Sequence, residues 1–266
     1  MAVIVLLTDF GQSDEYVGVV KGVISGINPR AKIIDLCHDI PPQDITWANY
    51  LLGSAYKFFP KGTIFLCVVD PGVGTKRKIV ILETKEYIFI SPDNGLLTKV
   101  LEKEKSKKIV EVKDKRFFLK EISSTFHGRD IMAPVAGYIS KGIDLERFGS
   151  EMRKIKTLKL NKPIMKKDCL IGEVIHIDHF GNLVTNIEKG SGVFWQKITQ
   201  RGQSHFYIEI KKRKIYKINK SYAESKKGEL LAIWGSRNLL EISLSCGNAE
   251  KELGVKKGEK IWVNFS

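Results

Sequence analysis

The sequence offers little that would tie it to a membrane, an oxidising compartment or a nucleoside triphosphate. No apolar run in its 266 residues approaches the roughly 20 that a membrane-spanning helix needs, so no membrane partner is expected. The opening segment from Met1 to Asp9 is apolar, but it is too short for a signal peptide and lacks a basic flank. It reads as a first buried strand and points to a cytoplasmic protein. There are only four cysteines (Cys37, Cys67, Cys169 and Cys246), and none forms a C-x-x-C pair. Zinc-ribbon and thioredoxin-like readings therefore lose their support, and Cys67 reads as a buried, reduced thiol. No G-x-G-x-x-G follows the first strand, and Gly72-Val73-Gly74-Thr75-Lys76 lacks the spacing of a Walker loop. Acidic residues are also scarce, 30 against 44 Lys and Arg, giving a net charge of +14. Such a surplus can attract nucleic acid. Here the lysines are scattered among Ile and Glu without an aromatic-basic signature. A Lys-rich solvated surface is expected, with no nucleic-acid partner.

What is present is a well-patterned globular chain, 43% hydrophobic. The first half alternates strand and helix signals. Strands are expected at 3–8, 32–36, 63–69, 78–83 and 87–91. Helices are expected at 14–27, 44–59 (capped by Asp44), 94–104 and 129–140. Strands apolar on both faces and separated by helices imply a Rossmann-like α/β domain, residues 1–160, with a mostly parallel sheet. A basic stretch from Lys154 to Asp168, containing Pro163, marks the change. Beyond it come short strands punctuated by Gly and Asn: 172–177, 183–187, 206–210, 230–234, 239–244 and 260–265. They imply an antiparallel sandwich or barrel-like domain, residues 161–266.

Chemistry concentrates in two segments, Val69-Asp70-Pro71-Gly72-Val73-Gly74 with Arg77 beyond it, and Thr125-Phe126-His127-Gly128-Arg129-Asp130. Together they offer a carboxylate, a guanidinium and an imidazole, enough to position and activate one water. A buried Asp70 needs a counter-ion, and Arg77 is the natural one. Asp9, His38 and Asp70 each supply the first polar group after a strand, where parallel sheets gather function. Asp9 could take a ribose diol, whereas Asp14 suits turn and capping chemistry. His176-Ile177-Asp178-His179 suggests a metal site only weakly, because strand alternation splits the histidines between faces. Phe180-Gly181-Asn182 fits either the stacking of a flat base or a simple hairpin turn. A metal-dependent phosphohydrolase using Asp9, Asp14, His38, Asp39, Asp70 and His127 remains an alternative, as does a non-catalytic ligand sensor.

The motifs Thr8-Asp9-Phe10-Gly11, Cys37-His38-Asp39, 69–74, Ser91-Pro92-Asp93-Asn94-Gly95-Leu96-Leu97, 126–130, 177–186 and Gly247-Asn248-Ala249 occur in an order that resembles the S-adenosylmethionine hydroxide adenosyltransferases. That family is related to the 5′-halogenases fluorinase and chlorinase. The resemblance implies an enzyme needing no metal or other cofactor, in which water or hydroxide attacks C5′ of S-adenosylmethionine to give adenosine and L-methionine. It also implies a homotrimer with sites between neighbouring subunits. Its catalytic set falls on Asp70, Arg77 and His127, and its ribose-binding aspartate on Asp9. Its adenosine and methionine contacts fall on Asp14, Val73, Gly128, Asp178, Phe180, Asn182, Ser236, Arg237 and Ala249. Where the halogenases carry Tyr, Thr and a Tyr-Ser pair, this chain has Asp70, Val73 and His127-Gly128. Val73 and Gly128 offer no hydroxyl for a halide, so water is the expected nucleophile.

Overall fold

The computed structural model describes residues 1–190 and 206–265. The chain divides into two compact units, Met1–Lys159 and Leu160–Ser266. In the first, the strands are β1 (Val3–Thr8), β2 (Lys32–Cys37), β3 (Ile64–Val68), β4 (Ile79–Glu83), β5 (Ile88–Pro92), β6 (Lys108–Val112) and β7 (Gly149–Glu151). They form one sheet in the order β2-β1-β3-β5-β4-β6-β7. The helices are α1 (Tyr16–Ile27), α2 (Ile45–Ala55), α3 (Thr98–Leu101) and α4 (Ala133–Ser140).

The half of this sheet around β1 is parallel, β1 pairing with β2 and β3, and β3 with β5. The other half is antiparallel, because β4 and β5 are joined only by the turn Thr84 to Tyr87. So short a link cannot host the crossover that a parallel pair requires. The sheet is therefore mixed, parallel around β1 and antiparallel from β5 outward. One face carries Ile4, Leu6, Leu66 and Ile90 beneath Val20 and Ile24 of α1 and Val135 and Ile139 of α4. On the other, Phe65 stacks on Phe89 at 5.0 Å between centroids, with Tyr56 edge-on to Phe89. Asp44 caps α2 by accepting from the Trp47 N–H at 2.9 Å, as its sequence position predicts. The chain runs from β1 outward to β2 and then back past β1 to β3. This reversal opens a crevice beyond the C-terminal ends of β1 and β3, the usual ligand position in such sheets.

The second unit holds β8 (Ile164–Lys166), β9 (Cys169–Ile177), β10 (Leu183–Glu188), β11 (Phe206–Ile210), β12 (Arg213–Ile215), β13 (Ile218–Asn219), β14 (Leu230–Trp234), β15 (Leu239–Leu244) and β16 (Lys260–Phe265). Their order is β12-β11-β16-β9-β10-β15-β14-β13, with β8 beside β9. All described pairings are antiparallel except β13 with β14. The long β9 pairs with both β16 and β10, and β12 approaches β14, so the sheet curls into a nearly closed barrel. Its interior is filled by Val174, Leu183, Ile208, Leu240, Ile242 and Val263.

Candidate active site

Asp9 follows β1 and Asp70 lies just past β3, so the two carboxylates face the crevice between those strands. A cavity of about 300 Å³ lies there, lined by Asp9, Phe10, Gln43, Asp70, Val73, Phe126, His127 and Gly128, among others. The loop after β3 is shaped by its glycines and one threonine. Thr75 Oγ1 donates to the Gly72 carbonyl at 2.7 Å. Gly74 has φ +77°, and a Cβ there would lie 2.3 Å from the Ser124 carbonyl oxygen. Only glycine allows this left-handed turn to press against the segment before His127. Asn94 Nδ2 donates to the Val69 carbonyl at 2.8 Å, which anchors the loop's start.

Within this loop Arg77 turns back onto Asp70. Its Nε lies 2.9 and 2.8 Å from the two carboxylate oxygens, and its Nη2 also contacts Oδ2. The side chains of Arg77 and Asp70 are only 8% and 6% exposed. The same Nη2 lies 3.0 Å from His127 Nδ1. A guanidinium can only donate, so Nδ1 accepts, and a neutral His127 carries its proton on Nε2. Burial, and then the Arg77 charge, lower the His127 pKa, opposed by Asp70 and Asp130. His127 is thus a neutral imidazole whose Nε2–H is its remaining donor. It enters from the wide helical turn Gly128–Met132 ahead of α4, in which the Ala133 N–H reaches back to the Gly128 carbonyl. Turns of this width recur at functional sites.

Asp9 is half-buried, and one carboxylate oxygen accepts from the Gln43 N–H at 2.8 Å. Burial raises its pKa and Asp70 adds to the rise, while the Gln43 N–H opposes both. Gln43 adopts φ +65°, a conformation uncommon outside glycine, and so carries local strain to aim that N–H. Phe10, Tyr16 and Phe126 form an aromatic wall with centroids 5.2–5.8 Å apart, Phe126 edge-on to the other two. Asp14 stands apart from the cavity lining and is exposed.

The second unit collects the other candidates around two turns. Asp178 closes the β9–β10 hairpin. Its Oδ1 accepts from the Phe180 and Asn182 N–H groups, and its Oδ2 from Asn182 Nδ2, all at 2.9 Å. Gly181 has φ +82° and lies against Asn248, whose side chain caps the helix Ala249–Leu253. Phe180 is 72% exposed, a large ring offered to solvent, whereas the Ala249 side chain is fully buried. Ser236 is exposed and Arg237 partly buried in the β14–β15 turn. Arg237 Nη1 is 4.0 Å from Glu241 Oε1.

Among the described residues, no three His, Cys, Asp or Glu side chains are grouped as a metal would require. His38 faces Thr8 Oγ1 at 2.8 Å and Asp35 Oδ1 at 3.0 Å. No described helix is long and apolar enough to cross a membrane.

Residues 4–149 match the family model described as the SAM hydroxide adenosyltransferase N-terminal domain, and residues 172–262 the C-terminal domain of the same family. The chain belongs to the SAM hydroxide adenosyltransferase family. Among similar members is the (R)-S-adenosyl-L-methionine hydrolase of Methanocaldococcus jannaschii, 39% identical, the match covering 99% of this chain and 96% of that one. An uncharacterised conserved protein from Thermotoga maritima has a crystal structure that superposes with a TM-score of 0.88 at 39% identity, covering 98% and 99% of the two chains. A fluorinase from Actinoplanes sp. is 28% identical over 70% of this chain and 72% of its own.

Gly128 is tightly enclosed. A Cβ on it would lie 3.2 Å from Val68 Cγ1 and 3.3 Å from the Phe10 ring. A hydroxyl-bearing residue there would have to push these neighbours aside. Gln43 and Glu241 belong to no motif of the sequence. For Gln43 the hint was the Pro41-Pro42 turn before it. For Glu241 it was an acid inside the apolar strand Leu239–Leu244.

Proposed function

We propose that this chain is an S-adenosyl-L-methionine hydrolase, in which a water attacks C5′ and yields adenosine and L-methionine. A new O–C5′ bond forms as the C5′–S bond breaks. The bonding pair goes to sulfur, turning the sulfonium into the neutral thioether of methionine, and the water's proton leaves through the protein. The sulfonium is a good leaving group and needs no acid. Catalysis therefore rests on orienting and deprotonating the water. The observation that carries this reading is the Asp70–Arg77–His127 arrangement at the crevice. His127 has Nδ1 occupied by Arg77, so it acts as a hydrogen-bond donor through Nε2–H and not as the base. Asp70 retains lone pairs beyond those used by Arg77 and takes the proton or a strong hydrogen bond from water.

Asp9 binds the ribose diol. Val73 and Gly128 border the reacting carbon, leaving room for water and no hydroxyl for a halide. Asp178, Phe180, Asn182, Ser236, Arg237 and Ala249 meet the adenine and methionine ends, with the Ala249 contact made by its backbone. Asp14, exposed in the segment before α1 and outside the cavity lining, meets the part of the substrate that extends beyond that cavity. As in the relatives suggested by resemblance, the working form is a homotrimer, with sites completed by a neighbouring subunit. The relatives' name specifies the (R) configuration at sulfur, and that epimer is the proposed substrate.

The test is incubation with each sulfur epimer in ¹⁸O-labelled water, followed by mass analysis. Labelled adenosine with equimolar methionine, formed from the (R) epimer, supports the proposal. Methyl transfer, decarboxylation or no turnover refutes it.

A further inference from the structure

Glu241 occupies an unusual place for an acid. It lies in the middle of β15, opposite Val184 of β10 and Ile233 of β14, and is 4% exposed. A carboxylate so placed is costly unless it is compensated. Arg237, four residues before it, supplies opposite charge at 4.0 Å. That separation is too long for a hydrogen bond, so the pair acts through charge. Burial raises the Glu241 pKa, Arg237 opposes the rise and Asp178 adds to it.

A second, independent observation links Glu241 to the β14–β15 turn. A Cβ on Gly235 would lie 1.9 Å from Glu241 Oε1, although Gly235 does not have the positive φ that usually demands glycine. Any larger residue there would displace the carboxylate, which lies directly against the Gly235 backbone. The turn that presents Ser236 and Arg237 is thus seated on Glu241.

We propose that Glu241 is a positioning residue that holds Arg237 and its turn for recognition of the substrate's amino-acid carboxylate. This rests on the proposed role of Ser236 and Arg237 at the methionine end. Arg237 supplies the charge that meets the substrate, and Glu241 restricts where that charge can go. Glu241 touches neither C5′ nor the attacking water, so it acts on binding and not on the chemical step.

The experiment compares Glu241→Gln with the parent enzyme on S-adenosyl-L-methionine and on its decarboxylated analogue, the propylamine sulfonium. In the variant, KM for the full substrate should rise about tenfold with kcat within about threefold, the mark of lost uniform binding. KM for the decarboxylated analogue should stay within about twofold. In an Arg237→Ala background, Glu241→Gln should change nothing further, because the two act as one unit. Equal KM changes on both substrates, or additivity with Arg237→Ala, would overturn the proposal. If Glu241→Gln does not fold, Glu241→Asp keeps the charge but withdraws it from the turn, and the same selective rise is expected. A parent enzyme that makes no adenosine would overturn the hydrolase reading and this proposal with it. An active parent with unselective variants overturns this proposal alone.

Discussion

Replacing Arg77 by lysine separates two roles that its guanidinium performs at once. Nε and Nη2 grip Asp70, and Nη2 also reaches His127 Nδ1 at 3.0 Å. Hydrogen bonds to charged groups contribute about 1.5–3 kcal/mol each, but these share one desolvated pair and do not add. Removing one partner of a buried pair costs about 3–5 kcal/mol, and Asp70 at 6% side-chain exposure qualifies. Arg77→Ala should therefore lower unfolding free energy by about that amount, measured by urea denaturation. Arg77→Lys keeps the charge beside Asp70, so its stability loss should be about 1–2 kcal/mol. A single ammonium cannot span the carboxylate and the imidazole together, so His127 loses its tautomer-fixing partner and Asp70 its fork. A misplacement of this kind should cost on the order of 10²-fold in kcat, followed as adenosine formation by chromatography. Adenosine affinity, measured by calorimetry, should change little. A kcat for Arg77→Lys within about threefold of the parent enzyme, or an Arg77→Ala stability loss below about 1 kcal/mol, would refute the reasoning.

Asp70→Asn keeps the shape of the carboxylate but removes its basicity, and turnover should fall about 10²–10⁴-fold while adenosine still binds. His127 has a folded pKa below its ordinary 6.5. The unfolded chain therefore takes up this proton first, and stability from this group is lost as pH falls below 6.5 towards the folded value. Protonation would also set an Nδ1–H against Arg77, so kcat/KM should show an acidic limb centred below 6.5, and His127→Gln should flatten it. A limb centred above 6.5 would contradict the assignment. Gly74→Ala combines φ +77° with a Cβ 2.3 Å from the Ser124 carbonyl oxygen. A thermal unfolding shift equivalent to about 2 kcal/mol or more is expected, together with loss of activity as the Asp70 loop moves.

Much of the fold was legible because periodicity is a local property. Continuous apolar runs such as 64–68 marked strands buried on both faces, and Asp44 before Ile45 marked a helix start. The short turn between Glu83 and Ile88 is also in the sequence, but its consequence for sheet direction emerges only once β4 is placed between β5 and β6. The helix expected over 94–104 shrinks to Thr98–Leu101. Its preceding turn is spent elsewhere, with Asp93 accepting from the Lys156 N–H at 2.7 Å and Gly95 at φ +96°. The helix expected from Arg129 begins instead as a wide turn at Gly128, which leaves His127 at the cavity.

By itself, the sequence determined which chemical groups are available. Asp70, Arg77 and His127 stand beside glycines that permit tight turns, and no nucleotide-phosphate loop competes with them. Whether those groups act together depended on separations in space that no local pattern encodes. The reversal of strand order between β1 and β3 set Asp9 across a crevice from Asp70, and the packing of Gly74 on Ser124 brought His127 to the Arg77 guanidinium. The protonation state followed from that placement, because desolvation and a neighbouring positive charge act on His127 only after the chain has folded around it. Glu241 shows the same division. Its place in an apolar strand can be read from the sequence, but its carboxylate acquires a role only when Gly235 and Arg237 are folded over it.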